Sequence, residues 1–367
     1  MRIAFIVQGE GRGHITQAIS LFQQLQGSKH TVVACLVGMI KKDNFSSTIE
    51  HEIDAKVHYF SSPNLIYNQA GKGLSLKATL IQNLKKLPEH NKSLHKLKGW
   101  MDKYQPDLII NFYDFLAGVY QLRFPNSAPP MICVGHQYLL LHKEFVFPKK
   151  KVVDRILVNL NSRFTALRAK KMLALSLSPY ENHKNIVSIP PLIRQSALSE
   201  PTSQHKYYVA YMTNPALLSQ LSDWHLNHTD VEIHCFIKCD QEQEVTQSHK
   251  NLFIHKLDAK KFLRLMANAK GLITTAGFEA VCEAIYYGKP VMMVPVPNHF
   301  EQACNALDAS RFGAGISQES FNLDKFLTYT SEFESPMVPF KNWLAEGKSK
   351  LIAELDSFEQ ILSLKQA

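Results

Sequence analysis

Two short stretches of the chain carry residues whose types and spacing suit the binding of an anionic ligand. One is GEGRGH, in which glycines 9, 11 and 13 lead directly into His14. The other is ITTAGFEAVCEAIYYGKPVMMVP, in which Gly277 follows a short apolar run and Glu283 lies six residues later. Glycine lets a ligand approach the backbone closely, and the free N–H groups of a helix start attract anions. We therefore predict a ligand-binding turn at each stretch.

His14 is the residue of the first stretch that titrates near neutrality. A general base is one interpretation of it, and a solvent-exposed residue at a helix start is the other. Asp114 follows the apolar run DLIINFY, so it should emerge at the same sheet edge, where it would either orient the imidazole or cap the next helix. His136, at another strand end, would line the same mouth or be a buried structural histidine. A dinucleotide-binding turn is disfavoured, because TVVACLVGM supplies no acidic residue after the next strand.

Composition points to a globular protein of two domains. The chain has 367 residues, 45% of them hydrophobic and 20% charged, which is long for a single core. The six cysteines are scattered through apolar segments, so we expect reduced, buried thiols, a cytoplasmic location and no metal site. The opening residues have too short an apolar stretch for a signal peptide, and no apolar run is long enough to span a membrane.

Basic residues are concentrated in the first half of the chain. Residues 1–190 hold 25 Lys and Arg against 12 Asp and Glu, a balance of +13, whereas residues 191–367 hold 16 against 20, a balance of −4. The densest part, Phe145–Lys171, mixes basic side chains with aliphatic and aromatic ones. It is interpreted as a solvated surface, as a peripheral contact with an anionic membrane, or as a site for a phosphate-bearing acceptor. Nucleic acid is disfavoured, because no recognised motif accompanies the charge.

Strand and helix patterns alternate on both sides of a proline-containing polar segment. This alternation predicts an α/β protein with two doubly wound domains that face each other across a cleft. Long helices are predicted over Leu76–Tyr104 and over Lys341–Leu364. The predicted units are an N-terminal domain (1–190), a linker (191–206), a C-terminal domain (207–335) and a C-terminal helix (336–367).

Three stretches resemble the inverting GT-B glycosyltransferases. They are the opening strand–GxGRGH–helix, the block TTAGFEAVCEAIYYGKPVMMVP, and EQACNALDASRFGAGI after it. The nearest relatives look like the family 28 group, which includes the peptidoglycan N-acetylglucosaminyltransferase, and the UDP-glucuronosyltransferase-like enzymes. The resemblance implies a GT-B fold whose C-terminal helix crosses back to the first domain. It also implies transfer of a hexose from a nucleotide-diphosphate sugar, most simply a UDP-sugar, to an acceptor hydroxyl with inversion.

The same resemblance implies a role for individual residues. His14 would be the base and Asp114 its partner, beside a glycine loop that includes Gly11 and Gly13 and an acceptor mouth that includes His136. The C-terminal domain would hold the donor. Its implied contacts are the diphosphate at Ala276, Gly277, Phe278 and Thr213, the ribose at Glu283, the nucleobase at Leu257 and the sugar at Glu301 and Gln302. Glu279, one turn before Glu283, is expected to be a solvated acid.

No cofactor is expected beyond the nucleotide-sugar co-substrate. The sequence contains no Asp-x-Asp pair to hold a divalent ion, so we expect helix N–H groups to stabilise the leaving diphosphate. The acceptor is unknown, and a lipid-linked one is a hypothesis that the basic first half suggests; Ser61–Gly73 and Leu139–Pro148 are the candidate acceptor loops. Two alternatives stay open, a GT-B-fold UDP-sugar epimerase and a non-catalytic nucleotide-sugar-binding subunit.

Overall fold

The computed structural model describes residues 1–10, 12–39, 48–64, 76–149, 151–238 and 244–366. Within these ranges the chain forms two seven-stranded sheets, one in each half, with helices between most of the consecutive parallel strands. Alternate residues of the first strand fall into two separate core clusters, since Ile3 and Phe5 belong to one and Ala4 and Ile6 to the other. Both faces of the sheet are therefore covered, and the predicted fold of two doubly wound domains is confirmed.

The first domain is built on a sheet whose strand pairs are all parallel. Its strands are β1 (Arg2–Gln8), β2 (Thr31–Gly38), β3 (Lys56–Phe60), β4 (Leu108–Phe112), β5 (Met131–Gly135), β6 (Lys171–Leu175) and β7 (Ile186–Ile189). Its helices are α1 (Arg12–Leu25), α2 (Thr48–Glu52), α3 (Leu76–Lys85), α4 (Leu87–Tyr104), α5 (Phe115–Arg123) and α6 (Val152–Thr165), with a 3-10 helix at His136–Leu141. The strand order is β3-β2-β1-β4-β5-β6-β7.

The second domain repeats this plan with one antiparallel edge strand. Its strands are β8 (Tyr208–Met212), β9 (Ile233–Ile237), β10 (Val245–His249), β11 (Leu252–Lys256), β12 (Leu272–Thr274), β13 (Val291–Met293) and β14 (Gly315–Ser317). Its helices, after α7 (Gln195–Leu198) of the connecting segment, are α8 (Leu218–His225), α9 (Ala259–Asn268), α10 (Phe278–Tyr286), α11 (Phe300–Arg311) and α12 (Asp324–Glu332), with a 3-10 helix at Pro215–Leu217. The order is β10-β11-β9-β8-β12-β13-β14, and only the β10–β11 pair among the described strands is antiparallel.

The end of the chain returns to the first domain, as predicted. It forms α13 (Met337–Ala345) and α14 (Gly347–Gln366) rather than the single predicted helix, with the break at Glu346. The amino group of Met1 lies 3.2 Å from Glu359 of α14, and His30 Nε2 lies 2.9 Å from Asp356. These contacts fix α14 against the first sheet.

The predicted helix over Leu76–Tyr104 is likewise two helices, α3 and α4. Pro88 lies in the first turn of α4, where its missing N–H costs nothing but where it cannot continue α3. None of the helices within the described ranges has the length and apolar character needed to cross a bilayer.

Candidate active site

The start of α10 is a turn that leaves its own helix uncapped. Gly277 is the N-cap residue and supplies no side chain to cap the helix, although the carboxylate of Glu279 in the first turn accepts from its own backbone N–H. A Cβ built on Gly277 would meet nothing within 4 Å, so the space beside this backbone is open. Ala276 before it is buried and left-handed (φ 61°), and its carbonyl accepts a hydrogen bond from Asn305 Nδ2 at 3.1 Å. The geometry suits a small anion.

Two further predicted donor contacts lie at strand ends on the same edge of the sheet. Thr213 follows β8, which neighbours β12, and its hydroxyl lies 2.9 Å from that of Thr275 in the turn before α10. Leu257 follows β11, three strands from β12, and packs partly buried against the core. At about 4.8 Å per strand this places Leu257 roughly 14 Å from the turn along the sheet edge.

Glu283 is buried two turns into α10, where it is held by an arginine that the sequence pattern did not indicate. Arg194 Nε donates to Oε1 at 2.7 Å and Nη2 donates to Oε2 at 2.8 Å, a bidentate pair. Burial raises the pKa of Glu283, and the charge of Arg194 opposes that rise. The two oxygens keep lone pairs that a ribose hydroxyl can use, but the residue is only 1% exposed. The segment predicted as a polar linker thus contributes to the donor side.

His14 lies in the first turn of α1, between Gly13 and Gln17, both of which contact Glu279 of the second domain. Its Nδ1 is 3.3 Å from Gln17 Oε1, its Nε2 is 3.5 Å from Gln137 Nε2, and its ring stacks on Tyr113 with centroids 5.5 Å apart. Because an amide oxygen accepts and an amide nitrogen donates, this pattern favours the tautomer with the proton on Nδ1 and the lone pair on Nε2. Burial lowers the pKa of His14 to about 4, so the ring is neutral near pH 7.

Asp114 does not contact His14 in this structure, contrary to the predicted pair. Its Oδ1 accepts from the backbone N–H of Leu116 at 2.8 Å, so it caps α5, the alternative that spacing had left open. It is completely buried and lies against Gly38, and burial raises its pKa to about 7. A short side chain bonded to the next turn of its own helix cannot also reach across to α1. The described contacts give Gln17 the orienting position instead.

The predicted sugar-binding pair lies in the first turn of α11. Glu301 accepts a hydrogen bond from Gln137 Nε2 of the first domain at 2.9 Å, and burial raises the pKa of Glu301 to about 7. Gln302 is buried, and its Oε1 accepts from the backbone N–H of Val296 at 2.8 Å. This bond fixes the amide plane and leaves the Nε2 hydrogens of Gln302 for another acceptor.

Glu279 is not the solvated acid that its position in the sequence suggested. Its carboxylate accepts from Gln17 Nε2 and packs on Gly13, where a Cβ would come within 2.6 Å of Oε2. Burial raises the pKa of Glu279, the hydrogen bond from Gln17 opposes this, and the nearby Glu283 adds to the rise. A Cβ at Gly13 would therefore displace the Glu279 carboxylate from its present position between the domains. The neighbouring loop residue Gly11 lies outside the described residues.

His136 joins the two domains through its ring rather than through a cleft-facing nitrogen. Its Nδ1 bonds the carbonyl of Leu175 at 2.7 Å, and the ring stacks on Phe278 of α10 with centroids 3.9 Å apart. Burial lowers the pKa of His136 to about 4. Phe278, whose backbone N–H is predicted to contact the diphosphate, is thus also held in place by the first domain.

The site residues fall into two groups. A connected interface joins His14, Gln17, Gln137, Glu279 and Glu301, with amides facing the carboxylates. The donor edge holds the α10 turn, Thr213, Glu283 and, farther along, Leu257, while Asp114 belongs to neither group. Of the residues that the sequence analysis missed, Gln17 had a signal, since it lies three positions after His14 on one helix face. Gln137 and Arg194 had none, because their partners are 164 and 89 residues away.

The model of glycosyl transferase family 1 matches residues 1–332. The chain belongs to this family. No curated protein matches the sequence significantly. Membership establishes a glycosyltransferase and agrees with the GT-B resemblance seen in the sequence.

Solved GT-B glycosyltransferases share the fold over nearly the whole chain. The glycotransferase of kitacinnamycin is 14% identical with a TM-score of 0.65, and the alignment covers 97% of this chain and 98% of that one. MurG of Acinetobacter baumannii is 15% identical with a TM-score of 0.60 (97% and 99% covered). UGT2 of Phytolacca americana is 12% identical with a TM-score of 0.65 (97% and 99% covered). At these identities the likeness shows the fold.

Proposed function

We propose that this glycosyltransferase moves a hexose from a nucleotide-diphosphate sugar, most simply a UDP-sugar, to an acceptor hydroxyl with inversion and without a metal. The observations that carry the proposal are the start of α10, where Gly277 supplies no capping side chain and leaves open space beside the backbone, and a neutral His14 on the other domain. One group can hold a leaving diphosphate and the other can take a proton. The two lie on opposite domains, as a displacement between donor and acceptor requires.

On the donor side, the N–H groups of Ala276, Gly277 and Phe278 would receive the diphosphate, and Thr213 would donate its hydroxyl to the distal phosphate. The helix dipole adds about 0.3–1 kcal/mol, up to ~2 kcal/mol in a sheltered site. The fixed N–H groups meet the negative charge that develops as the bond to the sugar breaks. This electrostatic stabilisation is the reason for expecting no metal requirement.

The nucleoside would extend along the sheet edge from the α10 turn towards Leu257, whose backbone would contact the base. Glu283 would accept hydrogen bonds from the ribose hydroxyls through the lone pairs that Arg194 leaves unused. Arg194 keeps this buried carboxylate ionised and fixes its plane. The sugar would lie between Glu301 and Gln302 of α11 and the first domain.

On the acceptor side, the acceptor hydroxyl would replace Gln137 Nε2 as the donor to His14 Nε2, and Nε2 would remove its proton as the oxygen attacks the anomeric carbon. The bond from that carbon to the diphosphate oxygen breaks in the same step, which inverts the configuration. Gln17 holds Nδ1–H and so keeps the lone pair on the attacking side. The low pKa of His14 ensures that the base is unprotonated at neutral pH.

Two structural relatives support the class of donor. The UGT2 structure is a complex with UDP-2-fluoro-glucose and pterostilbene, and a spinosyn rhamnosyltransferase that shares 15% identity is a complex with thymidine diphosphate. Both ligands carry a nucleoside diphosphate, while the base differs. The choice between uracil and thymine in this chain therefore needs a direct test.

A thermal-unfolding titration with UDP, dTDP, GDP and their sugar conjugates tests the proposal. A ligand at 100 times its Kd should add about 2.7 kcal/mol to the free energy of unfolding. Stabilisation by one nucleoside diphosphate, followed by an NMR assay of the product anomer with an acceptor panel, is the expected outcome. No stabilisation by any nucleotide would refute it. Conversion of the sugar without an acceptor would instead indicate the epimerase.

A further inference from the structure

Helix α6 buries polar side chains and exposes apolar ones, which is the reverse of an ordinary surface helix. Its buried residues are Ser162 and Thr165, whereas its large apolar side chains face outwards. Those exposed by 39–68% are Val152, Val153, Ile156, Leu157, Leu160 and Phe164. Single exposed apolar residues are common, but six on one 14-residue helix form a continuous surface.

Hydrogen bonds fix this orientation. Ser162 Oγ lies 2.8 Å from the hydroxyl of Tyr113, and Thr165 Oγ1 lies 3.0 Å from the hydroxyl of Tyr138. Backbone at the end of α6 also packs so closely on Gly118 of α5 that no Cβ would fit there. Rotating α6 to bury its apolar side chains would leave the two tyrosine hydroxyls without these partners inside the domain. The outward apolar face is therefore a property of the fold.

Positive charge surrounds this face. Asp154 is the one acid between residues 149 and 168 in the sequence. The exposed basic side chains of the same segment are Lys149, Lys151, Arg155, Arg163 and Arg168. Apolar side chains with basic neighbours match the two components of a bilayer surface, acyl chains and anionic head groups. Nucleic-acid binding would account for the basic side chains but not for the six exposed apolar ones.

We propose that the outward face of α6 docks the protein on an anionic lipid bilayer. The opposite side of α6 bonds Tyr113, whose ring stacks on His14, so docking would bring the base close to the membrane surface. If the transferase function proposed above holds, the acceptor is then a hydroxyl on a membrane-borne molecule. The docking itself needs neither donor nor acceptor.

Vesicle co-sedimentation of the full chain tests the docking. The vesicles are phosphatidylcholine alone or with about one-third phosphatidylglycerol, at low and at high salt. The variant V153Q/I156Q/L160Q replaces three exposed side chains with good helix formers, and L226Q/V338Q, on other exposed surfaces (62% and 63%), is the matched control. We expect binding to anionic vesicles only, weakened by salt, and more than about tenfold weaker partitioning for the triple variant alone.

A second variant, K149Q/R163Q, isolates the charge. It should reduce the salt dependence of binding and leave nucleotide-induced stabilisation unchanged. The docking proposal is overturned if the protein fails to sediment at low salt, or if the triple variant sediments like the control. It is also overturned if light scattering shows a dimer that the triple variant loses, since a second copy then covers α6. Nucleotide titration of the same variants reports on the transferase proposal separately.

Discussion

One strand-to-helix turn from each domain shows how similar backbones are used differently. In the first, β4 ends at Phe112, Tyr113 adopts φ 62°, and Asp114 (φ −73°, ψ 131°) precedes α5. In the second, β12 is followed by Ala276 with φ 61° and by Gly277 (φ −69°, ψ 132°) before α10. Both turns aim a helix start at the carboxyl edge of a parallel sheet, where ligands of such folds bind.

The side chains of the two turns differ, and so does the ability of each helix start to bind an anion from solution. Asp114 caps α5, so that helix start is satisfied by its own chain, whereas Gly277 leaves α10 open. Six residues after each N-cap, α5 carries the buried Tyr120 and α10 carries the buried Glu283. A left-handed residue before a helix is thus not a ligand site by itself. The capping residue decides whether the anion comes from the chain or from solution, so the first turn stacks Tyr113 on His14 and the second is the one that we propose for the donor.

Of the changes that test this difference between the two turns, removal of the base should have the largest effect, and that effect is on the chemical step. His14→Ala should lower turnover by roughly 10²–10⁴-fold, the range for a general base, while nucleotide affinity stays unchanged because the donor turn is on the other domain. Steady-state kinetics and nucleotide titration measure the two separately. His51→Ala, on exposed α2, is the control. Unchanged turnover in His14→Ala would remove the histidine from the mechanism.

Gly277→Asp would convert the second turn into a copy of the first. A Cβ has room there, so the new carboxylate should cap α10, add a few tenths of a kcal/mol of stability and occupy the anion position. We expect nucleotide affinity to fall about 100-fold, since a fixed negative charge replaces a favourable helix start. Calorimetric titration measures the affinity. Gly277→Asn supplies a neutral cap and should lose less; equal losses would mean that the charge is not the cause.

Glu283→Gln tests the other difference between the helices, which is the residue six positions after each N-cap: Tyr120 in α5 and Glu283 in α10. Losing one charge-assisted hydrogen bond of about 1.5–3 kcal/mol should weaken nucleotide binding about 10- to 100-fold. The substitution also leaves the buried side of Arg194 less well paired, so stability will fall too. The double variant with Arg194→Gln should regain stability but not affinity, and this separates the two effects. Recovery of affinity in the double variant would show that Glu283 serves only as a partner of Arg194.

Local sequence patterns were enough to predict most of the fold. Apolar runs with turn residues between them predict the alternating strands and helices, and Gly288 ends α10 with φ 71° where a helix stop was expected. The pattern failed where two helices meet end to end, as at Pro88 and Glu346, because the apolar period continues across the break. It also failed to indicate α6, whose apolar side chains face solvent and whose small polar ones face the core.

The site was predictable only where a residue and its ligand group belong to one turn. Gly277 and its open helix start follow from the spacing of a strand, a glycine and a helix. The contact of Gln137 with His14 and that of Arg194 with Glu283 join distant segments, which no local pattern encodes. Asp114 shows the limit most clearly: its sequence position suits a cap and a catalytic partner equally, and only packing against Gly38 and bonding to Leu116 decide between them.

The last expected effect concerns the capped turn and is seen in the pH dependence of stability. The pKa of Asp114 is raised from 3.8 to about 7 by burial, so the folded state keeps a proton that the unfolded state loses above about pH 4. The contribution of Asp114 to stability should therefore fall as pH rises from about 4 to 7 and level off above 7. Asp114→Asn keeps the cap and removes this contribution, so the drop in Tm between pH 5 and 8 should be smaller than in the unmodified protein. Asp230→Asn, at an exposed position, is the control, and equal slopes for all three proteins would mean that the Asp114 carboxyl is ionised inside the folded domain at pH 5.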